Sequence, residues 1–223
     1  MITDERIRDY IHSLEPSQGD LCDAIAKEAL ASYVPIIKKE TGAFLKTLVA
    51  AKQPKAILEV GTAVGYSALL MAGCMPEDGH ITTIEKYEPR IPVAKENFKK
   101  AGLEDKITLL EGDAEEILDS LEGPFDFIFM DAAKGQYLHW LPLILRLLAP
   151  GGMLVSDNVL QDGDIVQSRY AVERRNRTIH GRMREYLYRL KHMEELETAV
   201  IPIGDGVTVS VKRVGKEAVP QSE

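Results

Sequence analysis

The spacing of apolar residues along the chain changes near residue 54. Before that point apolar residues recur at helical intervals, which predicts helices over residues 3–15, 18–31 and 42–52. Beyond it, short apolar runs alternate with segments of helical period. The runs cover residues 56–60, 80–85, 106–112, 125–131 and 151–157, and the helical segments cover 66–75, 89–101, 114–121 and 137–148. Strands that alternate with helices predict a mostly parallel sheet with helices on both faces.

The C-terminal part of the chain has a different pattern. Residues 198–203 and 207–213 resemble strands, and Gly204-Asp205-Gly206 between them favours an antiparallel hairpin. The stretch 164–192 has room for one or two helices. We therefore expect an α/β fold with a doubly wound, mostly parallel seven-stranded sheet, an antiparallel C-terminal hairpin and extra N-terminal helices.

No internal repeat or low-complexity linker divides the sequence, so we predict a single domain over residues 1–223. Within it, residues 1–53 form a helical cover and residues 54–216 form the α/β core, and the tail after Lys216 is expected to be loose. The N-terminal helices are expected to cover the active site, to form a dimer contact, or both. A homodimer is the assembly we expect.

The chain is acidic, with a formal net charge of −8, but its charge is unevenly distributed. The segment 169–191 contains eight Arg or Lys and two Glu, so it carries +6 while the remainder carries −14. The average therefore hides a basic patch that a nucleic acid could contact. The N-terminus has no apolar run typical of a signal peptide or membrane span, and Cys22 and Cys74 lack partner spacing. We expect a cytoplasmic protein with reduced thiols.

Acidic residues lie at or near the ends of five predicted strands. They are Glu59, Glu85, Asp113, Asp131 and Asp157-Asn158. Ligands of such sheets bind beyond the carboxyl ends of the strands. One acid there is as readily explained as a helix N-cap, but five caps by coincidence are much less expected. The pattern predicts a ligand site at this edge of the sheet.

Three of these strand ends indicate an adenosine-bearing ligand. Gly61 and Gly65 permit a tight turn before a helix, Glu85 can accept the two ribose hydroxyls, and Asp113-Ala114 is positioned to meet an adenine. The acidic edge and the absence of a Lys-Ser/Thr phosphate pair disfavour NAD and ATP. A cationic sulfonium nucleoside without phosphate, S-adenosylmethionine, suits the edge better.

The other strand ends predict a metal site. Asp131, Asp157 and Asn158 can supply three hard oxygen ligands and leave roughly three of six octahedral positions open for substrate. The alternative is that Asp157-Asn158 caps the next segment. Lys134, three residues after Asp131, is a candidate general base, although a lone loop lysine is more often solvated surface.

The segments EVGTAVGYSALLMA, TTIE, EGDA, FMDAAKGQY and SDNVL together resemble the cation-dependent class I O-methyltransferases, the group of catechol and caffeoyl-CoA O-methyltransferases. The resemblance implies a Rossmann-like fold, Mg²⁺ or another divalent cation such as Mn²⁺ on Asp131, Asp157 and Asn158, and catalysis by Lys134 with Asp131. It implies methyl-donor contacts at Ile37, Glu59, Gly61, Gly65, Ser67, Glu85, Asp113, Ala114 and Asp131. The small Ala132-Ala133 pair departs from the plant and animal members, which carry a bulkier residue there.

Within that family the chain most resembles the bacterial branch that methylates 5-hydroxyuridine at the tRNA wobble position. Val34-Pro35-Ile36, the DAAKGQY loop and the basic segment carry this resemblance. It implies that the segment from Arg169 to Lys191 contacts the anticodon region, and that Tyr170, Tyr186 and Tyr188 could stack on bases.

Three alternatives stay open. The acceptor could be a small catechol-like phenol. The arginines could pair with the acidic remainder or with a dimer mate, and the tyrosines could belong to the core. A non-catalytic adenosine- or RNA-binding protein is disfavoured by the metal set, because a pure binding protein needs no open-faced metal.

Overall fold

A computed structural model of the chain describes residues 3–215. Its helices are α1 Glu5–Leu14, α2 Asp20–Ala31, α3 Lys39–Lys52, α4 Tyr66–Ala72, α5 Ile91–Lys100, α6 Ala114–Ser120, α7 Tyr137–Leu147 and α8 Arg177–His192. Its strands are β1 Ala56–Val60, β2 His80–Glu85, β3 Ile107–Glu111, β4 Phe125–Met130, β5 Leu148–Ser156, β6 Leu196–Ile201 and β7 Val207–Lys212. Short 3₁₀ turns cover Lys134–Gln136, Gln161–Val166 and Arg174–Asn176.

The strands form one seven-stranded sheet in the order β3-β2-β1-β4-β5-β7-β6. The first five strands are parallel, whereas β7 lies antiparallel to both β5 and β6. Buried apolar residues lie in two clusters that include the neighbouring strand residues Ile57 and Leu58, whose side chains point to opposite faces. The predicted fold class is therefore confirmed, and the carboxyl ends of β1 to β5 share one edge.

Some predicted boundaries were wrong. The third helix begins at Lys39 rather than at residue 42, because Gly42 lies inside it, where a Cβ would come within 3.2 Å of Leu70. The glycine there allows α3 and α4 to pack closely and does not interrupt the helix. The stretch 164–192 holds one α-helix, α8, preceded by 3₁₀ turns. The predicted loose tail lies outside the described residues.

The N-terminal helices differ in how far they are buried. Helices α2 and α3 contribute Ile25, Ala29, Leu45 and Val49 to the core, whereas α1 buries none of its residues. The segment between α2 and α3 runs along the carboxyl edge of the sheet, so the predicted cover is provided there by a loop. In residues 3–215, every helix is too short or too polar to cross a bilayer.

Gly65 provides a test of how β1 is joined to α4. It has a φ of +86°, and a Cβ at this position would lie 2.5 Å from the Phe98 ring. Gly102 has a φ of +65°, but a Cβ there would meet no atom within 4 Å, so it serves as the matched control. Gly102→Ala should cost about 1 kcal/mol of unfolding free energy, as expected for a left-handed backbone alone. Gly65→Ala should cost more in urea unfolding, and equal costs would contradict this packing.

Candidate functional site

A cavity of about 800 Å³ opens at the carboxyl edge of the parallel strands, a volume suited to a cofactor-sized ligand. Its wall is built from the segment 35–38 and from the loops after β1, β2, β3, β4 and β5. The predicted site residues that line it are Ile37, Gly61, Ser67, Glu85, Asp113, Ala114, Asp131, Lys134, Asp157 and Asn158. Two other predicted donor contacts, Glu59 and Gly65, do not line it.

Residues 61–65, called here the glycine loop, connect β1 to α4. Gly61 has a φ of +96°, and a Cβ there would lie 2.3 Å from the backbone oxygen of Asp131. The glycine thus lets the loop lie directly against the end of β4. Backbone N–H groups of Gly61 and Thr62 donate to the carbonyl of Ile84, at 3.0 and 3.2 Å. The loop is therefore fixed to both strands that flank β1.

Glu59 lies beneath the glycine loop and is fully buried. Its carboxylate accepts hydrogen bonds from the hydroxyls of Thr62 at 2.9 Å, Ser67 at 2.5 Å and Thr83 at 2.5 Å. Burial raises the pKa of Glu59 to about 7, even though these hydrogen bonds oppose the shift. Glu59 joins the loop, α4 and β2 from below, so we infer that its effect on a ligand would be indirect.

Glu85 ends β2 and lines the cavity. Its carboxylate accepts backbone N–H groups of Ala63 at 2.8 Å, Lys86 at 2.9 Å and Tyr87 at 2.7 Å. The carboxylate is therefore held in one orientation before any ligand arrives. One of its oxygens accepts only the Ala63 bond, and this leaves an acceptor position for a ribose hydroxyl.

Asp113 combines the two roles that the sequence left open. Its Oδ1 caps α6 by accepting the N–H of Glu115 at 2.9 Å, and its Oδ2 accepts Lys86 Nζ at 2.6 Å. The hydrogen bond from Lys86 holds the pKa of Asp113 below its ordinary value. The residue also lines the cavity, so the N-cap explanation holds without excluding a ligand contact.

Asp131, Lys134, Asp157 and Asn158 line the cavity at the ends of β4 and β5. Burial raises the pKa of Asp131, and the positive charge of Lys134 partly offsets this shift. Burial and the nearby charge of Asp131 raise the pKa of Asp157, which is 2% exposed. Two desolvated carboxylates facing the same space are an unfavourable arrangement unless a cation neutralises them.

The oxygen donors fit a hard divalent cation such as Mg²⁺ or Mn²⁺. Within residues 3–215, no three His, Cys, Asp or Glu side chains form a metal cluster, so such an ion would depend on the amide oxygen of Asn158. Asn158 has a φ of +61°, which asparagine tolerates better than most residues, and its N–H donates to Asp157 Oδ1 at 2.7 Å. The capping alternative for this pair finds no support, since the next 3₁₀ turn starts after Leu160.

The structure adds residues to which the sequence analysis gave no role. Tyr137 is fully buried, and its hydroxyl contacts the backbone oxygens of Met130 at 3.0 Å and Asp157 at 3.3 Å. It therefore joins the two strand ends that carry the acids. Its position in the DAAKGQY motif was the available signal. Arg90, which lies over the Tyr87 ring at 5.0 Å, and Trp140 also line the cavity.

The comparison with known families identifies the kind of protein to which this site belongs. A family model described as O-methyltransferase matches residues 14–213. This chain belongs to the O-methyltransferase family. A catechol O-methyltransferase of Niastella koreensis is 37% identical over 169 residues, covering 73% of this chain and 76% of that protein. A caffeoyl-CoA O-methyltransferase of Populus kitakamiensis is 30% identical over 221 residues, covering 94% of each.

A solved structure extends the likeness to the donor. The SAH-bound methyltransferase of Podospora anserina is 26% identical, with a TM-score of 0.84 and coverage of 95% of each chain. SAH, S-adenosylhomocysteine, is the donor after its methyl group has left. The present chain is an S-adenosylmethionine-dependent O-methyltransferase of the catechol and caffeoyl-CoA type. The individual donor contacts in this methyltransferase stay predictions.

The buried position of Glu59 predicts a pH dependence of stability. Its pKa in the fold, about 7, lies above the ordinary value of 4.5, so the fold favours the protonated form. Its contribution is fully present below the unfolded pKa and is lost as the pH rises through about 7. Glu59→Gln cannot ionise, so urea unfolding should show a smaller loss of stability from about pH 5 to about pH 8 than in the parent.

Glu104→Gln, at an exposed position, is the matched control and should keep the parent's pH profile. A Glu59→Gln profile parallel to that of the parent would show that Glu59 ionises as freely in the fold as in the unfolded chain.

Proposed function

We propose that this methyltransferase converts 5-hydroxyuridine at the tRNA wobble position to 5-methoxyuridine, with a divalent cation, Mg²⁺ or Mn²⁺, held by Asp131, Asp157 and Asn158. The acceptor chemistry is coherent, because O4 and O5 of 5-hydroxyuracil lie on adjacent carbons, as the two oxygens of a catechol do. The observation that favours tRNA is a basic surface that is left without acidic partners beside the cavity. We call this surface, formed by residues 169–191, the arginine surface.

The arginine surface is not neutralised by the acidic remainder of the chain. Its two ion pairs, Arg175–Glu173 at 2.7 Å and Arg189–Glu185 at 2.9 Å, both lie within the segment. Three exposed arginines form no hydrogen bond or ion pair with any residue in 3–215; they are Arg169, Arg174 and Arg184. The segment charge of +6 is therefore available to a polyanion.

The arginine surface also adjoins the loop that carries the candidate base. Arg182 donates from its guanidinium to the backbone oxygen of Gly135 at 2.9 Å, next to Lys134. Ile179, on the same helix, is the nearest neighbour of Gly135 on its Cα side. A nucleic acid bound along α8 would thus be close to the acceptor end of the cavity.

The tyrosines of this surface divide into two kinds. Tyr170 is 84% exposed and Tyr188 is 61% exposed, so both could stack on unpaired bases. Tyr186 is fully buried, where its hydroxyl pairs with Ser156 at 2.7 Å. Its predicted stacking role was therefore wrong, because the side chain supports β5 from within the core.

The proposed chemistry assigns a role to each cavity residue. When bound, the cation supplies Lewis-acid stabilisation of the acceptor oxyanion near neutral pH. Asp131 and Asp157 hold the negative charge that binds it, and Asn158 adds a neutral oxygen. Lys134 accepts the acceptor's hydroxyl proton. The donor's methyl group passes from sulfur to that oxygen, and the sulfur keeps the bonding electron pair; holding the two reactants in line supplies much of the acceleration.

A small catechol-like phenol is the second candidate. It is favoured by the 37% identity to a catechol O-methyltransferase. The same cation and donor sites would serve such an acceptor, and only the arginine surface would be without a purpose. The two candidates therefore differ in whether that surface contributes to turnover.

A double charge reversal tests this difference. Arg174→Glu with Arg184→Glu removes two unpaired cations, so KM for tRNA bearing 5-hydroxyuridine should rise several-fold at physiological salt. The slope of log KM against log salt should fall by about 2, since each lost phosphate contact removes about 0.9 of counterion release. Methylation of 3,4-dihydroxybenzoate should be unchanged, because the cavity is intact.

The matched control is Lys27→Glu with Lys99→Glu, the same charge change at exposed positions on α2 and α5. It should affect neither substrate appreciably. If the double arginine variant methylates tRNA as the parent does across the salt series, the arginine surface is structural and the small-phenol acceptor is the better proposal.

A further inference from the structure

Asp205 lies in the turn between β6 and β7 and forms part of the cavity wall. Its Oδ2 accepts a hydrogen bond from Nδ2 of Asn158 at 3.1 Å, and its Oδ1 accepts one from Nζ of Lys38. Lys38 also reaches Asp162 at 3.2 Å. One carboxylate thus connects a proposed metal ligand with the segment that covers the donor cavity.

The contact with Asn158 decides which end of the amide faces Asp205. An amide side chain has a donor nitrogen on one side and an acceptor oxygen on the other. Because the nitrogen faces Asp205, the oxygen faces away from it. The reversed amide would place its oxygen against a carboxylate, two acceptors in contact, which is unfavourable. Asp205 therefore selects the orientation that leaves the Asn158 oxygen available as a ligand.

The backbone holds Asp205 at this position. The N–H groups of Val159 and Leu160 donate to the backbone oxygens of Gly206 and Asp205, both at 2.9 Å. A Cβ on Gly206 would come within 2.3 Å of the Leu160 side chain, so the turn and the Asn158 loop pack closely. The hydrogen bond between the two side chains is thus set by a well-fixed frame.

Lys38 provides the counter-charge. Asp205 is largely withdrawn from solvent, with 16% of its side chain exposed, so an ion pair there is worth more than one at the surface. Lys38 adjoins Ile37 in the segment that lines the donor cavity. The ion pair joins residues that are 167 positions apart in the sequence.

We propose that Asp205 is a positioning residue that orients the Asn158 amide for metal binding, and that Lys38 holds Asp205 in that position. This inference rests on the proposed cation site. Outer partners of metal ligands commonly alter metal affinity by about 10- to 100-fold.

The test measures Mn²⁺ affinity of the full chain by electron paramagnetic resonance of free Mn²⁺, without substrate. Asp205→Ala should weaken Mn²⁺ binding by about tenfold or more. Asp205→Asn loses the charge but keeps an oxygen that can accept from Asn158, so it should stay within about threefold of the parent. If only the negative charge of Asp205 mattered, the two variants would be equally weak, and the positioning role would be overturned.

Lys38→Met gives an independent sign. Removing a positive charge near a cation site should tighten Mn²⁺ binding by electrostatics alone, whereas loss of the support for Asp205 should weaken it. We expect several-fold weaker binding, and tighter binding would overturn the role of Lys38. Glu197→Ala breaks an exposed ion pair with Arg213 far along the sheet and is the control, which should bind as the parent does.

The outcomes separate this inference from the proposed function. A parent protein that binds no Mn²⁺ would overturn the cation site, and the inference with it. A parent that binds Mn²⁺ while Asp205→Ala binds it equally well would overturn only the positioning role. Should Asp205→Ala fail to fold, Asp205→Asn and Lys38→Met still decide the question.

Discussion

The electrostatic repulsion between Asp131 and Asp157 is the constraint on which the rest of the site depends. Parallel strands β4 and β5 are neighbours in the sheet, and each ends immediately before one of these acids. Burial raises the pKa of both carboxyls, and the charge of Asp131 adds to the shift at Asp157. Sheet topology thus concentrates negative charge where water is scarce, and this arrangement is suited to a divalent cation and a cationic sulfonium.

Neighbouring groups keep the two acids in place without neutralising them. Tyr137 joins the two strand ends through its hydroxyl, and Gly61 lets the glycine loop lie against the backbone of Asp131. The carboxylates of Glu59 and Glu85 fix that loop from below and from β2. The methyl-donor side and the proposed metal side are therefore built on shared backbone, which explains how one edge of the sheet can serve both.

The sequence was sufficient to predict the fold class and the acids at the strand ends, because alternating patterns locate strand ends and parallel topology brings them together. It could not predict the depth of Glu59, since burial depends on packing by Thr83 and Ser67 from other elements. The ion pair of Lys38 and Asp205 was equally hidden, because only the fold brings together residues 167 positions apart. Gly42 was mistaken for a helix boundary because its packing partner lies on α4.

The central claim is that the donor methyl group and the cation occupy adjacent parts of this one cavity. It can be tested by carbon NMR of S-adenosylmethionine labelled with ¹³C in the methyl group, bound to the protein with Mn²⁺ or with diamagnetic Mg²⁺. The account predicts strong broadening of the methyl resonance with Mn²⁺, absent with Mg²⁺ and absent in Asp157→Ala. A methyl resonance that stays sharp while both the donor and Mn²⁺ are bound would contradict it.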